Sequence, residues 1–151
     1  MNNEKKENIF EISMVIKGPP SKVWEALIKP ELVRQYMYGA DLITDWKVGA
    51  PIRWQGIFEG RPYENKGTVL SVLPEKLLEY TYWSSLSELP DNPENYAKIT
   101  WRLTAEKEGT RFSVMLEGDG LAVAMWKHLE FGWRVIGNGL KKIVESRYGP
   151  I

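Results

Sequence analysis

The 151-residue chain has no cysteine, which excludes disulfides, thiol nucleophiles, iron–sulfur clusters and cysteine-ligated zinc. It has one histidine, His128, too few for a His-rich metal site. Net charge is missing as well. Twenty Lys and Arg offset 20 Asp and Glu, removing the bulk attraction on which nucleic acid or an anionic membrane depends. No apolar run approaches the roughly 18 residues of a membrane span, and residues 1–8 are polar, without the apolar stretch of a secretory signal. No glycine-rich phosphate loop or serine nucleophile elbow occurs. The expectation is a polar tail over residues 1–8 and a single cytoplasmic domain over 9–151. It has no cofactor, metal, nucleic-acid partner or membrane span, and homodimerisation is left open.

What the chain does have is apolar bulk. Hydrophobic residues make up 43% against 26% charged, enough to bury a core and argue against disorder. Seven Trp and seven Tyr need shelter within it. Phe10, Ile12, Met14 and Ile16 alternate as in a half-buried strand that Gly18-Pro19-Pro20 ends. Ser21 is placed to cap a helix carrying Val23, Trp24 and Leu27 on one face. Pro30 starts another through Leu32, Val33, Tyr36 and Met37. After a turn-rich stretch, Ile52, Trp54, Gly56 and Phe58 alternate, and Glu59-Gly60-Arg61-Pro62 turns into Tyr63–Leu73, whose facing is ambiguous. Leu78, Tyr80 and Tyr82, then Ala97, Ile99, Trp101 and Leu103, then Phe112, Val114 and Leu116 repeat the two-residue period. From Leu121 to about Tyr148 the period becomes helical, with Trp126, Leu129, Trp133, Ile136, Leu140, Ile143 and Val144 in one stripe. Asp119 is a start signal and Gly149-Pro150 a stop.

A sheet with one apolar face needs a cover, and the last helix is the element long enough to supply it. The order predicts an α+β fold: a curved antiparallel sheet of six or seven strands wrapped on a long C-terminal helix, with two short helices after the first strand. Ordered features run along nearly the whole chain. They are Pro20–Leu27, Pro30-Glu31, Val48-Gly49, Gly67-Thr68-Val69 running to Pro74, Leu78–Tyr82, Gly109-Thr110 and Gly132-Trp133 with Leu140. In this order the chain resembles the START-like (SRPBCC) helix-grip superfamily, in the branch named after the activator of the heat-shock-protein-90 ATPase. Two positions depart from that branch: Tyr36 stands where Trp is common, and Gly49-Ala50 replaces Gly-Gly. The resemblance implies a cavity between sheet and helix that accepts apolar molecules in relatives. The fold hosts carriers, receptors, cyclases and co-chaperone domains, so it does not fix one activity.

The rings with which the sheet and helix would face each other are Trp54, Phe58, Tyr80, Tyr82, Trp101, Trp126 and Trp133. Together with Tyr36 and Leu129 they are the candidate ligand-binding residues. Such rings either fill a core or line a pocket. Their number, and the phenol hydroxyls among them, favour the pocket. Gly137 and Gly139 each cost about 1 kcal/mol inside a helix, which close helix packing or room for ligand would offset. Asp41 with Asp45, and Glu117 with Asp119, suit turns and strand ends better than metal chemistry. The connection 84–95, near a dozen residues and so longer than most, fits either a flap carrying Leu86 and Leu89 or an ordinary surface loop. No residue is assigned a catalytic role. The first reading is a protein that binds a small hydrophobic molecule, in a transport, regulatory or stress role. The alternatives are a cyclase- or hydrolase-like enzyme using Tyr80, Tyr82 or His128 for proton transfer, and a co-chaperone-like module that stimulates an ATPase.

Overall fold

The computed structural model of the protein describes residues 9–37, 39–85, 89–118 and 130–148. Strand β1 (Ile9–Ile16) is followed by helices α1 (Pro20–Ile28) and α2 (Pro30–Tyr36). Strands β2 (Asp41–Ile43), β3 (Pro51–Phe58), β4 (Arg61–Leu73), β5 (Leu77–Ser84), β6 (Ala97–Glu106) and β7 (Gly109–Glu117) come next, and α3 (Glu130–Tyr148) ends the order. The strands form one antiparallel sheet in the order β1-β7-β6-β5-β4-β3-β2, with β5 at its centre. The helix-grip α+β arrangement expected from the sequence is therefore present. The polar tail, Asp119, Trp126, His128, Leu129 and Leu86 lie outside the described residues.

Alternation on each strand sends one set of side chains to the helix side. Ile52 and Trp54 of β3, Leu78 and Tyr80 of β5, Ile99 and Trp101 of β6, and Phe112 and Val114 of β7 are all buried. Opposite them α3 contributes Trp133, Ile136, Leu140 and Val144, a stripe at helical spacing. Its two interior glycines face close neighbours. A Cβ on Gly137 would stand 3.1 Å from Met14 Cε and 3.3 Å from Phe112 Cζ, and one on Gly139 only 2.8 Å from Tyr36 Cβ. Of the two explanations for these glycines, close packing is the one the geometry carries.

Three local features differ from the sequence reading. Helix α1 begins at Pro20, with Pro19 before it and no side-chain cap; a proline in the first turn, preset in φ, replaces the capping role expected of Ser21. Strand β2 has only three residues, too few to show a period. The ambiguity of β4 comes from a register shift between Val69 and Ser71. Such a bulge changes which face successive residues take, so that Val69 is fully buried while Leu73 is 53% exposed.

The sheet also contains one very close backbone approach. Between the pairs Lys66↔Trp83 and Val69↔Tyr80, Thr68 N–H donates to Thr81 Oγ1 at 2.8 Å. A Cβ on Gly67 would lie 1.7 Å from the Thr81 carbonyl oxygen, which only glycine allows. Gly67→Ala is expected to destabilise the fold by about 2–4 kcal/mol, the range of strained or overpacked interior changes. Urea denaturation measures this; a loss below about 0.5 kcal/mol, the size of a neutral surface change, would show that β4 and β5 can separate there freely.

Candidate functional site

On the inner face the large rings form a connected set. Trp54 of β3 meets Tyr80 and Tyr82 of β5 with centroids 5.0 and 5.7 Å apart. Tyr82 meets Trp133 of α3 edge-on at 5.8 Å. Trp101 of β6 lies 6.4 Å from Trp133 and 5.6 Å from Phe112. All of these separations fall in the range of favourable aromatic pairs, and none is a face-to-face sandwich. Five of the nine candidate residues, Trp54, Tyr80, Tyr82, Trp101 and Trp133, are thus brought together. Phe58 is not: it ends β3 beside the hairpin turn and is 43% exposed. Trp126 and Leu129 lie outside the described residues. Phe112 was legible only as one member of an alternating strand.

The polar ends of these rings have definite partners. Trp101 Nε1–H donates to the Tyr80 hydroxyl at 3.0 Å, an interior bond between β6 and β5. Burial pushes the Tyr80 phenol well above its ordinary range, and the bond from Trp101 offsets only part of that. Tyr36 reaches back from α2 and donates its hydroxyl to Ala26 O at 2.6 Å. The helical partner of Ala26 O would be the N–H four residues on, but that residue is Pro30, which has none. Tyr36 therefore closes the end of α1, as the Trp46 indole does for Ile28 O at 3.1 Å. Burial first, and nearby Tyr80 second, raise the Tyr36 phenol. Both buried phenols stay protonated at neutral pH and serve as hydrogen-bonding groups.

Accessibility varies across the inner face. Trp54, Tyr80, Trp101 and Trp133 are each at most 7% exposed, whereas Tyr82, on the central strand between Trp54 and Trp133, is only partly buried. Asn65 and Ser84 continue the inner face beyond Tyr82: Asn65 is the register partner of both Trp54 and Ser84. Sequence reasoning missed these polar positions because the facing of β4 was ambiguous.

The 84–95 connection is fastened to the outer face at Leu89, where Trp83 Nε1–H donates to Leu89 O at 3.1 Å, and Asn95 Nδ2 donates to Pro90 O at 2.9 Å within the connection itself. Asp91 accepts from Lys66 Nζ and Tyr96 Oη, both at 2.6 Å. These two donors hold the Asp91 carboxyl below its usual range, while burial and then Asp91 push Tyr96 up to about 12. Lys66 stands 5.7 Å over the Trp83 ring, which stacks on Tyr96. The described members of the acidic pairs are accounted for locally. Asp41 pairs with Arg34 at 2.9 Å, Asp45 accepts from Lys47 N–H, and Glu117 faces Lys98 at 3.6 Å. Among the described residues no group of three or more His, Asp or Glu could hold a metal, and no helix is long and apolar enough to cross a membrane.

Two outcomes are expected from these phenols. Tyr36→Phe leaves Ala26 O without a donor and should cost about 1–3 kcal/mol in denaturant unfolding; an unchanged midpoint would show that water replaces the hydroxyl. Folding raises the pKa of Tyr36, Tyr80 and Tyr96, so it favours their neutral forms. That contribution is fully present below about pH 10, the unfolded value, and is lost as pH rises through the folded values. Absorbance at 295 nm should show these three of the seven tyrosines silent near pH 10 and appearing only toward pH 12 and above or on unfolding. A full seven-tyrosine step centred near pH 10 would contradict their burial.

Comparisons with known proteins follow the same lines. The family model described as "Activator of Hsp90 ATPase homolog 1-like protein" matches residues 17–145. The solution structure of a Cytophaga hutchinsonii protein is 39% identical, covers 92% of this chain and 94% of its own, and superposes with a TM-score of 0.76. The solution structure of the Aha1 dimer from Colwellia psychrerythraea is 19% identical, with 91% and 94% coverage and a TM-score of 0.72. DynU16, a protein of the dynemicin biosynthetic locus, is 22% identical and superposes with a TM-score of 0.76 over 93% of this chain and 48% of its own. The last two likenesses concern the fold alone. No curated protein matches the sequence.

Proposed function

From the premise that this chain belongs to the activator of Hsp90 ATPase homolog 1-like family, within the SRPBCC helix-grip fold, we propose that it binds a small hydrophobic molecule between the sheet and α3. The observation that carries the reading is Tyr82. It lies on the inner face of the middle strand of seven, the place where a filled core would bury it most completely, and it retains solvent exposure while Trp54 and Trp133 on either side do not. Partly exposed aromatic surface on the inner face is what a ligand would cover, and apolar walls with a few polar groups are the usual makeup of a small-molecule site.

The ring geometry supports the same reading. Tyr82 offers an edge to Trp133 and a tilted face to Trp54, so a flat or aliphatic ligand entering there gains dispersion from three rings without displacing any of them. The protonated Tyr80 phenol, already anchored by Trp101, keeps the floor rigid. Binding would then use surface that is largely pre-organised, which lowers its entropic cost.

The test is a fluorescence titration with 1-aminoanthracene, a neutral apolar probe, alongside native mass spectrometry of protein purified from cells. Saturable one-site enhancement is expected, and Tyr82→Ala should weaken it about ten-fold, the value of one aromatic contact. Linear, unsaturable enhancement together with a bare protein mass would remove the proposal. Unchanged affinity in Tyr82→Ala would move the site away from these rings.

A further inference from the structure

Among the described residues two buried side-chain atoms have no hydrogen-bond partner, the Oδ1 oxygens of Asn65 and Asn95. A buried, unpaired amide carbonyl is unfavourable where an aliphatic side chain of similar size would not be, so each calls for an explanation. Asn65 sits on the inner face of β4 between Trp54 and Ser84 in the register. It is diagonal to Tyr82, close enough for the two side chains to share a guest. Asn95 precedes by two residues Ala97, the partner of Tyr82 on β6, and is 8% exposed. Its amide is oriented by the bond from Nδ2 to Pro90 O at 2.9 Å. That bond fixes which end is nitrogen, and leaves Oδ1 as the unsatisfied end. Both orphan acceptors therefore stand at the Tyr82 end of the sheet.

Resting on the ligand-binding reading above, we propose that Asn65 Oδ1, with Asn95 Oδ1 as a second acceptor at the same end, receives a hydrogen bond from a hydroxyl or N–H of the bound molecule. The ligand class is then amphipathic: an apolar body against Trp54, Tyr82 and Trp133, and a donor at one end. The unsatisfied atoms are acceptors, and Lys66, next to Asn65 on β4, lies on the opposite face of the sheet, engaged with Asp91. Neutral alcohols, phenols or amines fit this end, and carboxylates or phosphates do not. A buried acceptor beside aromatic rings discriminates by penalty as much as by attraction, because a molecule without a donor leaves the carbonyl unpaired.

The experiment compares 1-naphthol with 1-methoxynaphthalene by calorimetric titration of the full chain. The two differ by O-methylation, which removes the donor and keeps the rings. Wild type should prefer 1-naphthol about ten-fold, the worth of one well-placed buried hydrogen bond. Asn65→Leu should abolish the preference while holding 1-methoxynaphthalene within about three-fold, a change too small for a lost hydrogen bond. Equal wild-type affinities, or a preference that survives in both Asn65→Leu and Asn95→Leu, overturn the acceptor subsite alone. Absence of heat with either compound, joined to failure of the 1-aminoanthracene titration, overturns the ligand reading and this subsite with it. A second measurement needs no ligand. Removing an unpaired buried carbonyl should raise the Tm of Asn65→Leu by about 2 °C or more for a domain of this size. A fall of similar size would show that Asn65 Oδ1 already has a structural partner, and would overturn the proposal.

Discussion

The spacing between α3 and the sheet governs what the interior can hold, and it is set by unlike residues along the helix. At Gly137 and Gly139 there is no side chain, and Met14, Phe112 and Tyr36 come within ordinary or tighter contact of where a Cβ would be. Four residues earlier than Gly137, Trp133 places an indole against Tyr82 and Trp101 at 5.8 and 6.4 Å. Small residues draw the helix in at one end, and large rings hold it off at the other. The helix comes close to β1 and β7 at its glycines, while on the β4–β5 side Tyr82 stays partly exposed and Asn65 Oδ1 has no partner. The cost of two glycines in a helix is offset by this close approach.

Much of the architecture was legible because alternation and helical spacing are direct consequences of one-sided burial. Strands β1, β3, β5, β6 and β7 and the stripe on α3 could be read from residue type alone. Strand β2 could not, since three residues carry no period. The facing of β4 could not either, because its bulge changes phase in mid-strand and apolar residues fall on both sides of it. At the site, Trp54, Tyr80, Tyr82, Trp101 and Trp133 are each inner-face members of clearly alternating segments or of the helical stripe, so their meeting was legible. Phe58 obeys the same alternation but lies at the last position of its strand, past the area that α3 covers, and periodicity does not show where a cover ends. Asn65 was hidden because a polar residue in an ambiguous strand reads as solvent-facing. The roles of Tyr36 and Trp46 depend on the missing N–H of Pro30 and on the exposed last turn of α1, which no pattern of hydrophobicity reports.

The connection after β5 is held by contacts distant in sequence. A loop with two leucines fitted either a flap or an ordinary surface loop; in its described part, Leu89 and Asp91 are tied to the outer face by an indole, an ammonium and a phenol. This cluster is partly exposed, and each exposed ion pair in it contributes little by itself. Its stacked Trp83 and Tyr96 give the loop a small apolar anchor of its own. Any motion of this segment must either leave that anchor intact or break several bonds together.

Membership of a family fixes topology more firmly than it fixes chemistry, and the division is visible within this chain. The residues that build the grip are backbone-driven: Gly67 against Thr81, the helix glycines against their neighbours, and Tyr36 on Ala26 O. Replacing any of them disturbs the close approach it makes: β4 on β5, the last helix on its neighbours, or α2 on the end of α1. The residues at the Tyr82 end differ in kind. Asn65 could become leucine and keep its strand pairs with Trp54 and Ser84, and by the arithmetic of buried polar groups the fold would gain. On the reading proposed above, the stability forgone at that position belongs to what binds there and not to what folds there.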